Sequence, residues 1–141
     1  VYTKQYLHPG EEEYFEPCFD NNPIIKIKGE TISFAICSDI NNAKHSQAAK
    51  LNCATLYISS IFFTKKGIEE GLDILENTAK NNSINILMSN YTDRVWGLES
   101  GGKSAFWTKE GTLIQSLKGN ETGLLMIEKR GGSWIGKNLI F

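Results

Sequence analysis

The chain predicts an α/β fold on three observations. Residues 32–60 run strand, helix, strand in a span short enough for one βαβ unit. Residues 65–82 carry Ile68, Leu72, Leu75 and Ala79 at the spacing of one helical face. From residue 84 onward, short apolar runs alternate with turn-forming residues, the pattern of further strands.

Taken in order, residues 1–23 hold Pro9, Gly10, Pro17 and Pro23 among Tyr2, Tyr6, Tyr14, Phe15 and Phe19. Linkers are poor in aromatics, so this stretch predicts a structured loop whose rings pack on something. The runs 24–28 and 32–36 flank Gly29-Glu30 and predict a hairpin. In the second run Ile32, Phe34 and Ile36 alternate with Ser33, Ala35 and Cys37, the period of a strand with at least one buried face.

Asn41 or Asn42 is placed to cap a helix over 43–51, and 54–58 predicts a buried strand leading into Ser59-Ser60. Parallel pairing of the two strands follows from the intervening helix. Thr64 is placed to cap the long helix 65–82, which Asn81-Asn82 stop. Strands are expected at 84–89, 104–108, 112–116 and 123–127, with Lys109-Glu110-Gly111 as a turn. The tail 131–136, with paired glycines around Trp134, predicts an irregular arm whose ring packs on a partner subunit or on the core.

The 141 residues are 40% hydrophobic and 22% charged, an ordinary globular composition of single-domain length. Fifteen Lys and Arg balance sixteen Asp and Glu without a basic block, which argues against a nucleic-acid partner. No apolar run approaches the roughly 18 residues of a membrane span, and Val1-Tyr2-Thr3-Lys4 is no signal peptide, so no membrane partner and a cytoplasmic location are expected. Cys18, Cys37 and Cys53 form neither an even framework nor a Cys-x-x-Cys pair. Reduced thiols and no metal site are expected, with Cys18 and Cys53 structural.

Chemistry concentrates where the apolar run ends at Cys37-Ser38-Asp39. A thiol between a strand and a capped helix lies beside backbone N–H groups able to hold an oxyanion, a geometry suited to acyl transfer. A small buried apolar role is the alternative for such a cysteine. His8 and His45 offer a further alternative, a cysteine–histidine pair, if either comes within hydrogen-bond reach of Cys37. Ser59, Ser60 and Phe62 follow a strand end, where α/β sheets bind ligands, and are candidate substrate-binding residues.

Four stretches together resemble the carboxy-terminal half of a carbon–nitrogen hydrolase of the nitrilase superfamily. The run from Tyr2-Thr3-Lys4 through His8-Pro9-Gly10-Glu11-Glu12 is similar to the family's lysine motif, and Ala35-Ile36-Cys37-Ser38-Asp39 to its nucleophile elbow. The other two are residues 54–60 and Gly101-Gly102-Lys103-Ser104-Ala105-Phe106 with the turn at 109–111. The resemblance implies part of a four-layer α-β-β-α sandwich lacking its amino-terminal portion, with 1–141 the C-terminal part of a single domain.

It further implies an amidase-like hydrolase cleaving a non-peptide C–N bond of a small amide, carbamoyl compound or nitrile through a thioester-type intermediate, without cofactor. Cys37 matches the nucleophile, Lys4 the catalytic lysine, and Glu12 the supporting glutamate, with Glu11 an adjacent competitor; the Ser38 N–H would complete the oxyanion site. Glu12 would orient Lys4 or help position substrate.

Two departures accompany the match. Only three residues precede Lys4, so the family's first glutamate, its general base, is missing from the sequence, and Ser38 and Asn41-Asn42-Ala43-Lys44 replace the aromatic and the Arg-Phe-Pro-Glu run of many members. The expectation is a missing N-terminal segment supplied in cis or by another chain, a homo-oligomer, and an isolated chain without activity. A catalytically inactive remnant serving assembly or binding is the rival.

Overall fold

Alternation along residues 30–36 and 56–61 places every second side chain under helices, and those side chains build the core. The computed structural model describes residues 1–119 and 121–141. The elements are β1 (Ile25–Ile27), β2 (Glu30–Ile36), α1 (Ala43–Leu51), β3 (Leu56–Ile61), α2 (Ile68–Asn82) and β4 (Asn85–Asn90). There follow β5 (Arg94–Val95), β6 (Leu98–Glu99), β7 (Ala105–Trp107), β8 (Leu113–Ser116), β9 (Gly123–Arg130) and β10 (Ser133–Ile140).

The central sheet has the order β1-β2-β3-β4-β7-β8. β2, β3 and β4 are parallel, as a βαβ unit requires, and β1, β7 and β8 join antiparallel. One face carries Ala35, Tyr57, Ile61, Ile86, Met88, Ala105 and Trp107, which pack with Ile40, Ala49, Leu75 and Ala79. The buried stripe of α2 is Ile68, Gly71, Leu75 and Ala79. Gly71 lets the Phe63 ring lie against the helix, where any Cβ would collide with it.

The opposite face carries Phe34, Ile58 and Leu87, half-buried, and ends in Ile36, Ser60 and Ser89, which are exposed and aligned in register. Its far side is covered by the β9–β10 hairpin, where the Trp134 ring lies 5.0 Å from Phe106 and the Asn138 amide donates to the Ser116 carbonyl at 2.8 Å. At the hairpin tip Lys129 pairs with Glu30 at 2.7 Å and holds its ammonium 5.1 Å from the Trp134 ring. The layers are therefore helices, sheet and a two-stranded third layer.

Four expectations need correction. The tail is no irregular arm: 133–140 forms a full antiparallel pairing with β9, glycines at 131–132 making the turn. Trp134 packs within the chain. The long helix begins at Ile68, since Thr64 accepts the Gly67 N–H in a preceding turn and does not cap a helix starting at 65. β3 starts two residues later than expected and includes Ser59 to Ile61, and the short β5–β6 hairpin had no signal in its sequence. Among the amino-terminal aromatics, Tyr2 and Tyr6 pack and Phe19, though exposed, lies edge-on to Tyr6 at 5.5 Å, but Tyr14 and Phe15 are exposed.

Candidate active site

β2 delivers Cys37 to the carboxyl end of the parallel strands, where Cys37–Asn41 makes a 3-10 turn before α1. Asn42 caps α1, its Oδ1 accepting the Lys44 N–H at 3.0 Å. Cys37 is half-buried and has a left-handed φ of 48°, a conformation uncommon for a residue with a Cβ and shared among the described residues by Lys28, Cys53, Ser83, Trp96 and Lys103; what sets Cys37 apart is its place at the end of a parallel strand. The first N–H groups of such a turn have no acceptor within it, so Ser38 contributes a backbone donor at this corner. Its hydroxyl donates to the Tyr6 carbonyl at 2.5 Å.

The segment bearing Lys4 is fastened to this elbow by Asp39, which is fully buried. Asp39 Oδ1 accepts the N–H groups of Gln5 at 3.0 Å and Tyr6 at 2.8 Å, while Oδ2 accepts the Ile36 N–H at 2.9 Å and the Tyr2 hydroxyl at 2.5 Å. One carboxylate thus joins the two residues after Lys4 to the residue before Cys37. The other limb of the loop is tied in as well, the Cys18 N–H donating to the Lys4 carbonyl at 3.2 Å.

Lys4 places its ammonium 2.5 Å from Glu11 Oε2, which also accepts the His8 N–H at 2.7 Å. The Lys4 hydrogen bond, followed by that from His8, holds the Glu11 carboxyl below the usual carboxylate range. Glu12, expected to orient Lys4, instead accepts the Gly10 N–H at 2.7 Å. Both lie in the 3-10 turn Glu11–Glu13, and a one-residue step around it aims the side chains apart. Glu12 faces a groove of about 690 Å³ shared with Tyr6, Phe19, Ser38, Asn41 and Asn42.

Behind the elbow, buried His45 on α1 meets the Tyr2 hydroxyl at 2.8 Å through Nε2 and the Tyr57 hydroxyl at 2.7 Å through Nδ1. Because Tyr2 gives its proton to Asp39, its oxygen accepts from Nε2–H, which leaves Nδ1 to accept from Tyr57. The chain of donors runs Tyr57, His45, Tyr2, Asp39. Burial lowers the His45 pKa against the opposing pull of Asp39, and burial first, then Asp39, raises those of both tyrosines. Both His45 nitrogens are thereby occupied, and His8 Nδ1 lies 3.0 Å from the Pro9 carbonyl. Neither histidine bonds Cys37, so the cysteine–histidine alternative loses its geometric basis.

Of the expected substrate-binding residues, Ser59 is fully buried on the helix-covered face and cannot line an open site. Ser60 is exposed in a groove of about 280 Å³ with Ser89, Tyr91 and Thr92, and half-buried Phe62 lies 6.4 Å from the Tyr91 ring. Cys53 is exposed in a turn and Cys18 half-buried, so neither is a core residue. Among the described residues no group of three His, Cys, Asp or Glu side chains is arranged to hold a metal ion, and no helix is long and apolar enough to cross a membrane. Sequence reasoning missed Asp39, Tyr2 and Tyr57; the one available signal was an acidic residue enclosed by Ile36, Ala35 and Ile40.

No protein-family profile and no curated protein matches the chain. Its fold does match solved structures. A mutant amidase from Nesterenkonia sp. AN1, in which acrylamide has added to the active-site cysteine, superposes with a TM-score of 0.73 at 22% identity, covering 84% of this chain and 47% of that one. A second mutant of that amidase, carrying the acetamide moiety of fluoroacetamide on the cysteine, gives 0.72 at 18% identity over 99% of this chain and 48% of that one. A carbon–nitrogen hydrolase from Helicobacter pylori G27 gives 0.74 at 18% identity, covering 86% and 48%. The chain therefore has the fold of nitrilase-superfamily amidases and spans about half the length of the solved chains it matches.

Proposed function

We propose that residues 1–141 are the carboxy-terminal part of a single carbon–nitrogen hydrolase domain whose complete form cleaves a small amide, carbamoyl compound or nitrile through Cys37. The observation that carries the reading is the left-handed Cys37 at the end of a central parallel strand, on a turn that shares Asp39 with the Lys4 segment.

In this reading Cys37 Sγ forms a bond to the substrate carbon as the C=O electron pair moves onto oxygen, where the Lys4 ammonium and the Ser38 N–H receive it. Collapse of the tetrahedral species breaks the C–N bond. The departing nitrogen takes the proton that the thiol surrendered and leaves as ammonia or an amine. Water then adds to the thioester, releasing the acid and restoring the thiol. The base that relays these protons is the glutamate that the resemblance places upstream of Lys4, reached in cis or from another chain.

Glu11 holds Lys4 in this scheme, and Glu12 with Ser38 and Asn41 lines the approach for substrate. A homo-oligomer is supported by the outward face of the β9–β10 hairpin, where Leu124, Met126, Ile135 and Leu139 are all exposed. Ammonia release from a panel of short amides by the full-length protein tests the activity. Wild type is expected to turn over at least one member and Cys37→Ala none; equal release from both would reject the assignment.

A further inference from the structure

The buried charge nearest the proposed nucleophile has no part in the chemistry above, yet its bonds span the site. All four donors to Asp39 come from segments that must agree in position: Gln5 and Tyr6 after Lys4, Ile36 before Cys37, and Tyr2, two residues ahead of Lys4. A buried carboxylate that accepts three backbone N–H groups is costly to rearrange, because each donor it released would be left unpaired in the interior. Its orientation is in turn fixed through Tyr2 by His45 and Tyr57.

We propose that Asp39 is a positioning residue that holds the Lys4 ammonium in register with Cys37, with the Tyr2–His45–Tyr57 relay as its support. The inference rests on the reading of Lys4 and Cys37 given above. Asp39 touches no reacting atom. It acts through the backbone on either side of the two groups that do. Replacement by Asn keeps the shape but turns one acceptor pair into a donor, so either the Gln5 and Tyr6 bonds or the Ile36 and Tyr2 bonds are lost.

The test is a double-mutant cycle on the full-length protein with a turned-over amide. Asp39→Asn is expected to lower kcat by about a hundredfold with KM within threefold of wild type. Because the loss runs through Lys4, Asp39→Asn combined with Lys4→Ala is expected to be no more than twofold slower than Lys4→Ala alone. A kcat within threefold of wild type, or losses that multiply, would overturn the proposal. If Lys4→Ala itself leaves turnover intact, the assignment of the site fails and this inference with it, an outcome visible without Asp39→Asn. Should Asp39→Asn not fold, Tyr2→Phe decides: a fivefold lower kcat at unchanged KM supports the role, and an unchanged kcat refutes it.

Discussion

Glu11, one residue ahead of the glutamate the motif favoured, is the carboxylate that holds Lys4, at 2.5 Å. A 3-10 turn places successive side chains about a third of a revolution apart, so only one of two adjacent glutamates can face the ammonium. Glu11→Gln is expected to lower kcat at least tenfold with little change in KM. Glu12→Gln is expected to raise KM more than it lowers kcat. Steady-state kinetics on one amide separates the two, and the reverse pattern would return the supporting role to Glu12.

His45 gives the fold a pH dependence of known sign. Burial lowers its pKa in the folded chain, while in the unfolded chain it titrates near 6.5. Below about pH 6.5 the unfolded state binds a proton that the folded state resists, so stability falls as pH falls, by at most about 1.4 kcal/mol per pH unit. Glu11 and Glu30, both lowered, contribute only at more acidic pH. Urea unfolding between pH 7.5 and 5.5 is expected to show this slope in wild type and a flatter one in His45→Gln. Parallel slopes would remove His45 from the account.

Trp134 fastens the third layer to the sheet. Its ring meets Phe106 and the Lys129 ammonium, and Lys129 reaches Glu30 across the sheet edge. Trp134→Ala is expected to cost about 2–3 kcal/mol in urea unfolding, below the range for a fully enclosed ring because Trp134 is half-buried. A loss under about 0.5 kcal/mol would mean that the hairpin is held by its own pairing.

What was legible in the sequence was whatever local pattern alone decides. A cap at Asn41 or Asn42, the α2 stripe and the parallel β2–β3 pairing all follow from spacing and turn residues close in the chain, while the choice of Asn42 and the parallel addition of β4 emerge only in the fold. The tail misled because Gly131 and Gly132 were taken with Trp134 as one irregular stretch, when they are a hairpin turn whose partner strand begins eight residues earlier. Ser59 misled because strand alternation sends it to the face opposite Ser60. Asp39 was hidden for another reason: three of its four donors lie 33 to 37 residues away, and the one local signal, an acidic residue among Ala35, Ile36 and Ile40, does not say which amides it bonds.

In the proposed reaction Cys37 carries the acyl group, so the covalent intermediate is the species to capture. Full-length protein quenched in acid during turnover of a short amide is digested and its cysteine peptides weighed, Cys18 and Cys53 serving as internal controls. The acyl mass is expected on the Cys37 peptide alone, and in much smaller amount on the same peptide in Lys4→Ala. Sustained turnover with Cys37 unmodified, or an adduct on Cys18 or Cys53 in its place, would contradict it.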